Sequence, residues 1–581
     1  MAAQTSSHVM KISLILYRMF NQIYVRRSSS RAISFKNAMV VVLLVSLGNI
    51  SKGQTPEILL PQTQDVHYLP DFSYAGFKNG ESGQRFLNYA QTLNVGDFGA
   101  IPDDGLDDSK ALIQALETAD QYQGGVIIQF APGQYILSEI LYVKRSNVVL
   151  RGTGSGSNGT TIHCPRPMKY LKAPESLKEL REYLIKFDKR QREKHNNIDL
   201  PFSQYSWTGG MIWVRKDGTR VKSYLPDYAV EGKPLTLVSR GKKGALTCSV
   251  ISANSLTVGD VVQIEWFNKS GEMGSLLDEL YKTREVKIGS HHWKYPDEPL
   301  VKQQVKIEAI DGLEVTFSSP LLLDAKAEWH TRISKWHHLE NVGIEHLRIS
   351  FPMAETIAHH VEEGFNAIYL TRLFNGWVKD VKIVNSDSGI LTEEVANVTI
   401  QDVETRGEKL AHYAVYIGGV HNVLVENLKV YNKVRHPLSF NTFSTKSVFK
   451  NCEVFVDPIL DQHSGANHQN LFDDVKLHVR LKGEDTYPLF AGGGAGYWKP
   501  SHGAYNTFWN VQIHFLDGVS YDRKILLNGM NDGSTAILVG VHANMPVEVE
   551  YGPNAHIELT NRSLSGCPSL YDYQLQQRLK K

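Results

Sequence analysis

The sequence predicts an all-β protein, a right-handed parallel β-helix with an N-terminal capping helix and a mixed insertion. The main observation is a short pattern of alternating apolar residues, followed by Asp or Asn, that returns between residues 339 and 516. One apolar position per copy gives steps of 34, 22, 25, 24, 23 and 36 residues, at Ile344, Val378, Ile400, Val425, Phe449, Phe472 and Phe508. Four consecutive steps of 22–25 residues indicate coils stacked in parallel, and longer steps indicate coils with protruding loops.

The composition favours a large buried core and argues against a nucleic-acid partner. Of the 581 residues, 42% are hydrophobic, and a solenoid of this length need not divide into several globular domains. Residues 1–53 hold seven Lys or Arg and no acidic residue, so the remainder has 55 basic and 61 acidic residues, a net charge of −6. An anionic ligand therefore needs a local cluster of bases. The four cysteines lie far apart, which indicates buried thiols rather than a disulfide scaffold.

Residues 1–53 are predicted to be an export signal. Basic residues between 26 and 36 precede an apolar run at 38–47, which is too short to span a bilayer but is typical of a secretory signal. We therefore expect a secreted protein, extracellular or periplasmic, with no stable membrane span. The arginine and serine content also fits a mitochondrial presequence, which is the alternative.

Residues 54–170 are predicted to cap the solenoid and to supply its first coils. They contain an acidic turn, a helical pattern, a Gly-Gly strand and a Pro-Gly turn, at 103–109, 111–119, 124–130 and 132–135. Asp107 or Asp108 is in position to cap the helix. This order resembles the N-terminal start of the pectate-lyase-like superfamily of right-handed parallel β-helices. The resemblance implies a polysaccharide lyase, a polygalacturonase-type hydrolase or a phage tailspike, with the helix covering the open end of the solenoid.

Three further regions complete the predicted organisation, and we expect the protein to be a monomer. Residues 171–330 interrupt the coils as an insertion with a charged surface helix and a β-rich segment. Residues 331–560 form the main parallel β-helix and carry the site. Residues 561–581 form a polar tail that covers the last edge.

A column of titratable residues repeats with the period of the coils. Residues one coil apart lie roughly 4.8 Å apart in a parallel β-helix. Asp387, His412, His436 and Asp461 are separated by 25, 24 and 25 residues, which predicts that they lie side by side. The candidate catalytic residues are His412, Arg435, His436, Asp461 and His463. The candidate substrate-binding residues are Asp387, Lys409, Tyr413, His468, Tyr497 and Trp498.

These residue types suit β-elimination from a uronate-containing, acidic polysaccharide. The carboxylate must be neutralised, the adjacent C5 proton removed, and the departing O4 protonated. Arg435 suits the first role through its forked donors. His436 or His412 suits the second because the pKa of imidazole is near neutrality. His463 or Tyr413 would supply the proton.

Supporting roles are predicted for the remaining candidates. Asp461 would orient a histidine. Tyr497 and Trp498 follow the glycine-rich run 492–496, and their flat faces suit stacking on sugar rings.

Inverting hydrolysis of the polygalacturonase type is the main alternative. The segments 385–389 and 411–418 are similar to the Asn-Thr-Asp-Gly and Gly-His-Gly motifs of those hydrolases. Their paired Asp-Asp segment is missing here, and so is their Arg-Ile-Lys segment. Hydrolysis would therefore require Asp387 and Asp461 as the two carboxyl groups.

Metal-dependent and non-catalytic interpretations also remain open. No metal or cofactor is predicted, because the histidine-rich column favours a metal-free site. A calcium site would need converging carboxylates, here Asp387, Glu393 and Glu394. A zinc site would use imidazoles, here His412, His436 and His463. In a carbohydrate-binding solenoid without catalysis, the column would consist of structural ladders and surface residues.

Overall fold

Strands stacked coil upon coil form the body of the protein, which the computed structural model describes over residues 55–60, 68–81, 91–187, 200–220 and 233–580. The predicted export signal at residues 1–53 lies outside these ranges. Within them, no helix is long and apolar enough to cross a bilayer. Cys164, Cys248 and Cys452 are buried free thiols, and the free thiol Cys567 is partly exposed.

The first sheet runs along the whole solenoid and contains 19 of the described strands, all paired in parallel. It spans the N-terminal start, the main coils and the C-terminal coils. Its strands are Gln91–Asn94, Val126–Gln129, Gly133–Ile136, Val148–Arg151, Thr160–His163, Val342–Ser350, Trp377–Val384, Thr399–Arg406, Leu424–Glu426, Lys429–Val430, Val448–Lys450, Glu453–Val454, Leu471–Asp473, Lys476–Val479, Thr507–Trp509, Gln512–Phe515, Ile537–Val539, His542–Ala543 and His556–Glu558.

Two further parallel sheets complete the coils. The second sheet is the one that carries the candidate site. Its strands are Leu141–Val143, Ile212–Val214, Leu339–Glu340, Asn366–Phe374, Ser388–Ala396, Ala411–Ile417, Val420–His421, Val434–Asn441, Leu460–His463 and Gly492–Gly493. The third, shorter sheet lies in the C-terminal coils and consists of Thr486–Tyr487, Ile525–Leu527 and Val547–Val549.

The repeating apolar positions stack directly on one another in the first sheet. Val378 pairs with Ile344 on one side and with Ile400 on the other, and the same pairing continues to Phe508. These side chains are buried in one continuous core. The predicted parallel β-helix is therefore confirmed, and the sequence period is the length of one coil.

Asparagine and aspartate follow the apolar positions because the chain turns sharply there. Asp402, Asn427 and Asn451 have φ angles of 55°, 58° and 49°, in the left-handed region that these two residue types tolerate best. The amide of Asn427 donates to Asp402 at 2.9 Å, and the amide of Asn451 donates to Asn427 at 2.7 Å. The polar part of the sequence repeat is thus a ladder of hydrogen-bonded corners.

Helices occur at the start, in the insertions and at the C-terminus. The helix Ser109–Ala119 buries Leu112, Ala115 and Leu116 in the core of the first coils, which agrees with the predicted cap. The other described α-helices are Lys178–Phe187, Ser275–Tyr281, His291–Lys294 and Leu570–Leu579. The described 3₁₀ turns are Glu57–Leu59, Phe77–Gly80, Val95–Phe98, Met168–Tyr170, Glu175–Leu177, Gly271–Met273, Ala327–Trp329 and Gly496–Trp498.

The predicted insertion at 171–330 is divided by a strand of the solenoid. Ile212–Val214 pairs in parallel with Leu141–Val143 and with Asn366–Phe374, so it belongs to the second sheet. The sequence analysis did not predict this strand, because a run of only three apolar residues is too short to show a periodic pattern. The β-rich part that follows is a closed antiparallel barrel made of Pro234–Gly241, Thr247–Val250, Val261–Trp266, Val301–Asp311, Glu314–Phe317 and Arg332–Lys335.

The C-terminal residues fold back along the solenoid, which corrects the prediction that they cover its last edge. Leu570 and Tyr571, at the start of the last helix, are buried against Leu471 and Trp509 on the outer face of the first sheet. Their amides donate to the buried carboxylate of Asp473 at 2.9 and 3.1 Å. The tail therefore covers the side of several coils.

Candidate functional site

The predicted column is in register at its first step, because Ser388 pairs with Tyr413 and the backbone amide of His412 donates to the carbonyl of Asp387 at 2.7 Å, but not at the later steps. Tyr413, not His412, pairs with His436, and Ser439, not His436, is level with Asp461. The predicted register was therefore correct for Asp387 and His412 and wrong for the two later steps. The second sheet sets its own hydrogen-bonded pairing, and a shift of one residue moves a side chain to the opposite face of a strand.

The side chains nevertheless meet around Asp461. One carboxylate oxygen lies 3.3 Å from Nδ1 of His463 and the other lies 3.3 Å from Nδ1 of His436. The hydroxyl of Ser439 donates to the same carboxylate, and Asn441 donates to that hydroxyl at 2.7 Å. Burial alone would raise the pKa of Asp461, but the two imidazoles lower it well below its usual range. Asp461 is thus an ionised, buried carboxylate between two histidines.

A second group of histidines lies beside the first. Nε2 of His359 lies 3.0 Å from Nε2 of His412, whose Nδ1 is 3.2 Å from the carboxylate of Glu362. The ring centroids of His412 and His436 are 5.4 Å apart, and the ring of His360 stacks on that of His359 at 3.7 Å. Five imidazoles therefore form one continuous cluster, which we call the histidine cluster: His359, His360, His412, His436 and His463.

Burial keeps much of the histidine cluster neutral. It lowers the pKa of His359 to about 2, with His412 as the next cause, and the pKa of His360 to about 2, with His359 as the next cause. Burial also lowers the pKa of His412 well below its ordinary value, helped by His436. These rings therefore offer nitrogen lone pairs at neutral pH rather than positive charge.

Asp387 and Lys409 form a closed ion pair below the surface. The ammonium of Lys409 lies 2.6 Å from one carboxylate oxygen of Asp387, and 2% and 3% of the two side chains are exposed. The other oxygen accepts from the amides of Gly364 and Phe365 at 3.0 and 2.9 Å. The structure therefore contradicts the prediction that these two residues bind substrate, because their polar atoms are buried and paired with each other and with backbone.

An aromatic cleft opens next to the histidine cluster. Its volume is about 400 Å³, and among its described lining residues none is Asp, Glu, Lys or Arg. Two histidines of the cluster, His360 and His463, face it. The lining residues are Tyr183, Phe202, Trp207, His360, Tyr413, Tyr416, Asn441, Thr442, His463, Ser464, Gly494, Ala495, Tyr497 and Trp498.

The remaining predicted residues divide between the cleft and the interior. Tyr497 and Trp498 line the cleft. The ring of Tyr497 also stacks on that of His291, with centroids 4.2 Å apart, and Trp498 packs against the apolar residues of the antiparallel barrel. Arg435 is partly exposed beside the histidine cluster and is not among the cleft-lining residues. His468 is buried, with its Nδ1 against the carbonyl of Ala466, so its predicted substrate contact is contradicted.

Several residues of the site were not predicted from the sequence. His359 and His360 lie in the loop of the 34-residue step, and a His-His pair shortly before Glu362 is a signal that could have identified them. Phe202 and Trp207 come from the segment that the predicted insertion placed outside the coils. Neither repeats with the coil period, so the period could not locate them.

Two sets of side chains could hold a metal ion. His359, His412 and His436 each have a ring nitrogen within 4.8 Å of the others, and the same holds for the ligand atoms of His436, Asp461 and His463. Two of the three carboxylates of the calcium alternative are already paired with basic side chains. Glu394 lies 3.0 Å from Lys302 and 2.8 Å from Arg372, and Asp387 is paired with Lys409.

Comparisons with known proteins found one matching family model and several similar solved structures. Residues 92–187 match the family model described as rhamnogalacturonase A/epimerase, pectate lyase-like. No curated protein matches the chain. The tailspike gp61 of Pseudomonas phage phi297 is similar at 13% identity and a TM-score of 0.42, over 80% of this chain and 75% of that one.

Two other solved structures have similar values. The tailspike gp49 of Pseudomonas phage LKA1 has 13% identity and a TM-score of 0.42, over 81% of this chain and 83% of that one. The A-module of the Azotobacter vinelandii mannuronan C-5 epimerase AlgE4 has 13% identity and a TM-score of 0.33, over 80% and 99%. The N-terminal start therefore matches a pectate-lyase-like family model, and the stacked parallel coils have the architecture of a parallel β-helix.

Proposed function

We propose that the protein is an exported enzyme that cleaves an acidic polysaccharide by β-elimination. The observation that carries the proposal is the pair Asp461 and His463 at the wall of an aromatic cleft. The aromatic lining suits sugar rings, whose apolar faces stack on flat side chains. The match of residues 92–187 to a family model named after rhamnogalacturonase A supports a polysaccharide substrate.

His463 is the proposed general base. Its Nδ1 contacts the ionised carboxylate of Asp461, which holds a proton on that nitrogen and leaves Nε2 as the lone pair that can remove the C5 proton. The carboxylate also stabilises the imidazolium that forms. Asp461 therefore acts as a positioning residue, since it contacts the histidine rather than the sugar.

Tyr413 is the proposed acid for the departing O4, and Arg435 the proposed partner of the uronate carboxylate. The ring of Tyr413 lines the cleft and stacks between His412, at 4.2 Å, and His436, at 4.9 Å. Arg435 is partly exposed next to these rings. A sugar carboxylate that extends from the cleft over the histidine cluster would meet its guanidinium.

Inverting hydrolysis is less well supported by the carboxylates. That mechanism needs one carboxyl group that is protonated and another that activates water. Asp387 is enclosed by Lys409 and two amides, and Asp461 has a lowered pKa that keeps it ionised. Neither is suited to donate a proton to a glycosidic oxygen.

The test is to incubate the purified protein with pectate, alginate, ulvan and glycosaminoglycans. β-Elimination produces an unsaturated sugar that absorbs in the ultraviolet, and we expect that signal from at least one substrate. The variant His463→Asn should abolish it, whereas His514→Asn, which changes an exposed histidine elsewhere on the coils, should leave it unchanged. New reducing ends without the ultraviolet signal would replace the proposal with hydrolysis. The absence of both signals would favour a binding protein.

A further inference from the structure

The histidine cluster contains an arrangement that neither general base catalysis nor packing requires. Nε2 of His359 and Nε2 of His412 face each other at 3.0 Å. In a tetrahedral zinc site with zinc–nitrogen bonds of about 2.0–2.1 Å, ligand nitrogens are separated by about 3.3 Å. Two of the imidazoles therefore already stand within a few tenths of an ångström of that separation.

A third imidazole completes the set. A ring nitrogen of His436 lies within 4.8 Å of those of His359 and His412. Nε2 of His436 is buried and has no hydrogen-bond partner among the described residues, while its Nδ1 lies 3.3 Å from the carboxylate of Asp461. With the proton on Nδ1, the lone pair of Nε2 is buried without a partner, which is unfavourable. A metal ion bound to His436 would remove part of that cost by using the lone pair that has no partner.

Carboxylates stand behind two of the three rings. Glu362 lies 3.2 Å from Nδ1 of His412, and Asp461 lies 3.3 Å from Nδ1 of His436. A carboxylate behind a ligand histidine holds the proton on the outer nitrogen and leaves the other nitrogen free for the metal. The two carboxylates also supply negative charge that offsets part of the charge of a divalent cation.

We propose that His359, His412 and His436 bind one divalent transition-metal ion, with Zn²⁺ as the expected occupant. Three imidazoles are the protein ligand set of a zinc ion that keeps a fourth position open. The nitrogen ligands favour Zn²⁺, Cu²⁺ or Ni²⁺ over Mg²⁺ and Ca²⁺, which prefer oxygen ligands.

The metal site goes beyond the proposed β-elimination and can be tested without substrate. The full chain, freed of any affinity tag and stripped with a chelator, is dialysed against ZnCl₂ and its zinc content is measured. We expect one zinc ion per chain, and His359→Asn should lose it. Glu362→Gln should weaken zinc binding by about 10- to 100-fold. His514→Asn is the matched control and should bind zinc as the unchanged chain does.

Cobalt provides a second readout that does not depend on a variant. Co²⁺ bound by three imidazoles in a tetrahedral site gives strong visible absorption bands, whereas six-coordinate Co²⁺ on the protein surface gives weak ones. We expect strong bands at one equivalent, which His359→Asn abolishes while its near-ultraviolet circular dichroism stays native. If His359→Asn does not fold, the proposal is decided by two results: strong bands in the unchanged chain, and weaker cobalt binding in Glu362→Gln. Weak bands, or zinc binding equal in His359→Asn and His514→Asn, would overturn the proposal.

Discussion

Asp387 and Asp461 are two buried carboxylates on coils of the second sheet that are three steps apart, and they differ in the partners that surround them. Asp387 contacts a buried ammonium and two backbone amides, none of which faces the cleft. Asp461 contacts two imidazoles, one of which lines the cleft, and a serine hydroxyl. The period of the sequence treats the two residues alike, but only Asp461 is connected to groups that can exchange protons with a ligand.

The comparison teaches that the partner of a buried charge indicates its role. A carboxylate paired with lysine and backbone amides stabilises one loop conformation, here the one that brings Gly364 and Phe365 onto the coil. A carboxylate paired with imidazoles controls which ring nitrogen carries a proton. We therefore expect substitutions at Asp387 to change stability and substitutions at Asp461 to change activity.

The largest effect is expected from Asp461→Asn. The amide cannot hold the proton on Nδ1 of His463 by charge, so turnover should fall by about 10²- to 10⁴-fold, the range of a general base. The measurement is the rate of unsaturated-product formation, with near-ultraviolet circular dichroism as the check on folding. Asp457→Asn, a partly exposed aspartate paired with Lys433, is the matched control and should keep full activity. Comparable losses in the two variants would remove Asp461 from the mechanism.

Asp387→Asn should instead destabilise the fold by about 3–5 kcal/mol, because it leaves the buried ammonium of Lys409 without a counter-charge. Denaturant unfolding at neutral pH measures the loss. The double variant Asp387→Asn, Lys409→Met should lose less than the sum of the two single variants, since it removes both charges. Strictly additive losses would show that the two side chains do not interact in solution.

Acid should destabilise the protein from about pH 6.5 downwards, first through buried histidines and below about pH 3.9 also through Asp461. Burial lowers the pKa of His292 and of His502 to about 4, below the value of about 6.5 for unfolded histidine. Their stabilising contribution is complete above pH 6.5 and is lost as the pH falls towards 4, with a slope of up to about 1.4 kcal/mol per pH unit for each histidine. Asp461, with a lowered pKa, loses its contribution only below the unfolded value of about 3.9.

Unfolding free energies measured from pH 8 to pH 3 check this order. They are best recorded with a chelator present, so that metal binding does not contribute. His502→Gln should flatten the slope between pH 6.5 and 4 and leave the slope below 3.9 as it is. A slope that His502→Gln does not change would mean that His502 is already protonated in the folded state.

The smallest effect is expected at the aromatic wall of the cleft. Phe202 lines the cleft and packs against His360, with ring centroids 4.8 Å apart. Phe202→Ala should raise KM by about 2- to 12-fold, the equivalent of the about 0.5–1.5 kcal/mol of one aromatic contact, with little change in kcat. Phe455→Ala is the control, since Phe455 stacks on His478 away from the cleft. An unchanged KM for Phe202→Ala would place the substrate elsewhere.

The residue period identified the coils because one face of each strand must be apolar. Ile344, Val378 and Ile400 pair directly, as their spacing predicts. The same period did not predict every strand register of the second sheet, where Tyr413 rather than His412 is level with His436. Paired residues of the second sheet are 25, 23 and 22 residues apart at successive steps, and a shift of a single residue decides which face a side chain occupies.

The sequence by itself determined the parallel β-helix, the helix at its start and the set of titratable residues that includes His412, His436 and Asp461. Local periodicity is sufficient for these features, because burial of alternate residues repeats along the chain. Only the tertiary structure decided that Asp387 is enclosed and that His359 and Glu362 join the site from a loop. Those contacts depend on where a long loop folds back on the coils, and no local pattern of residues encodes that position.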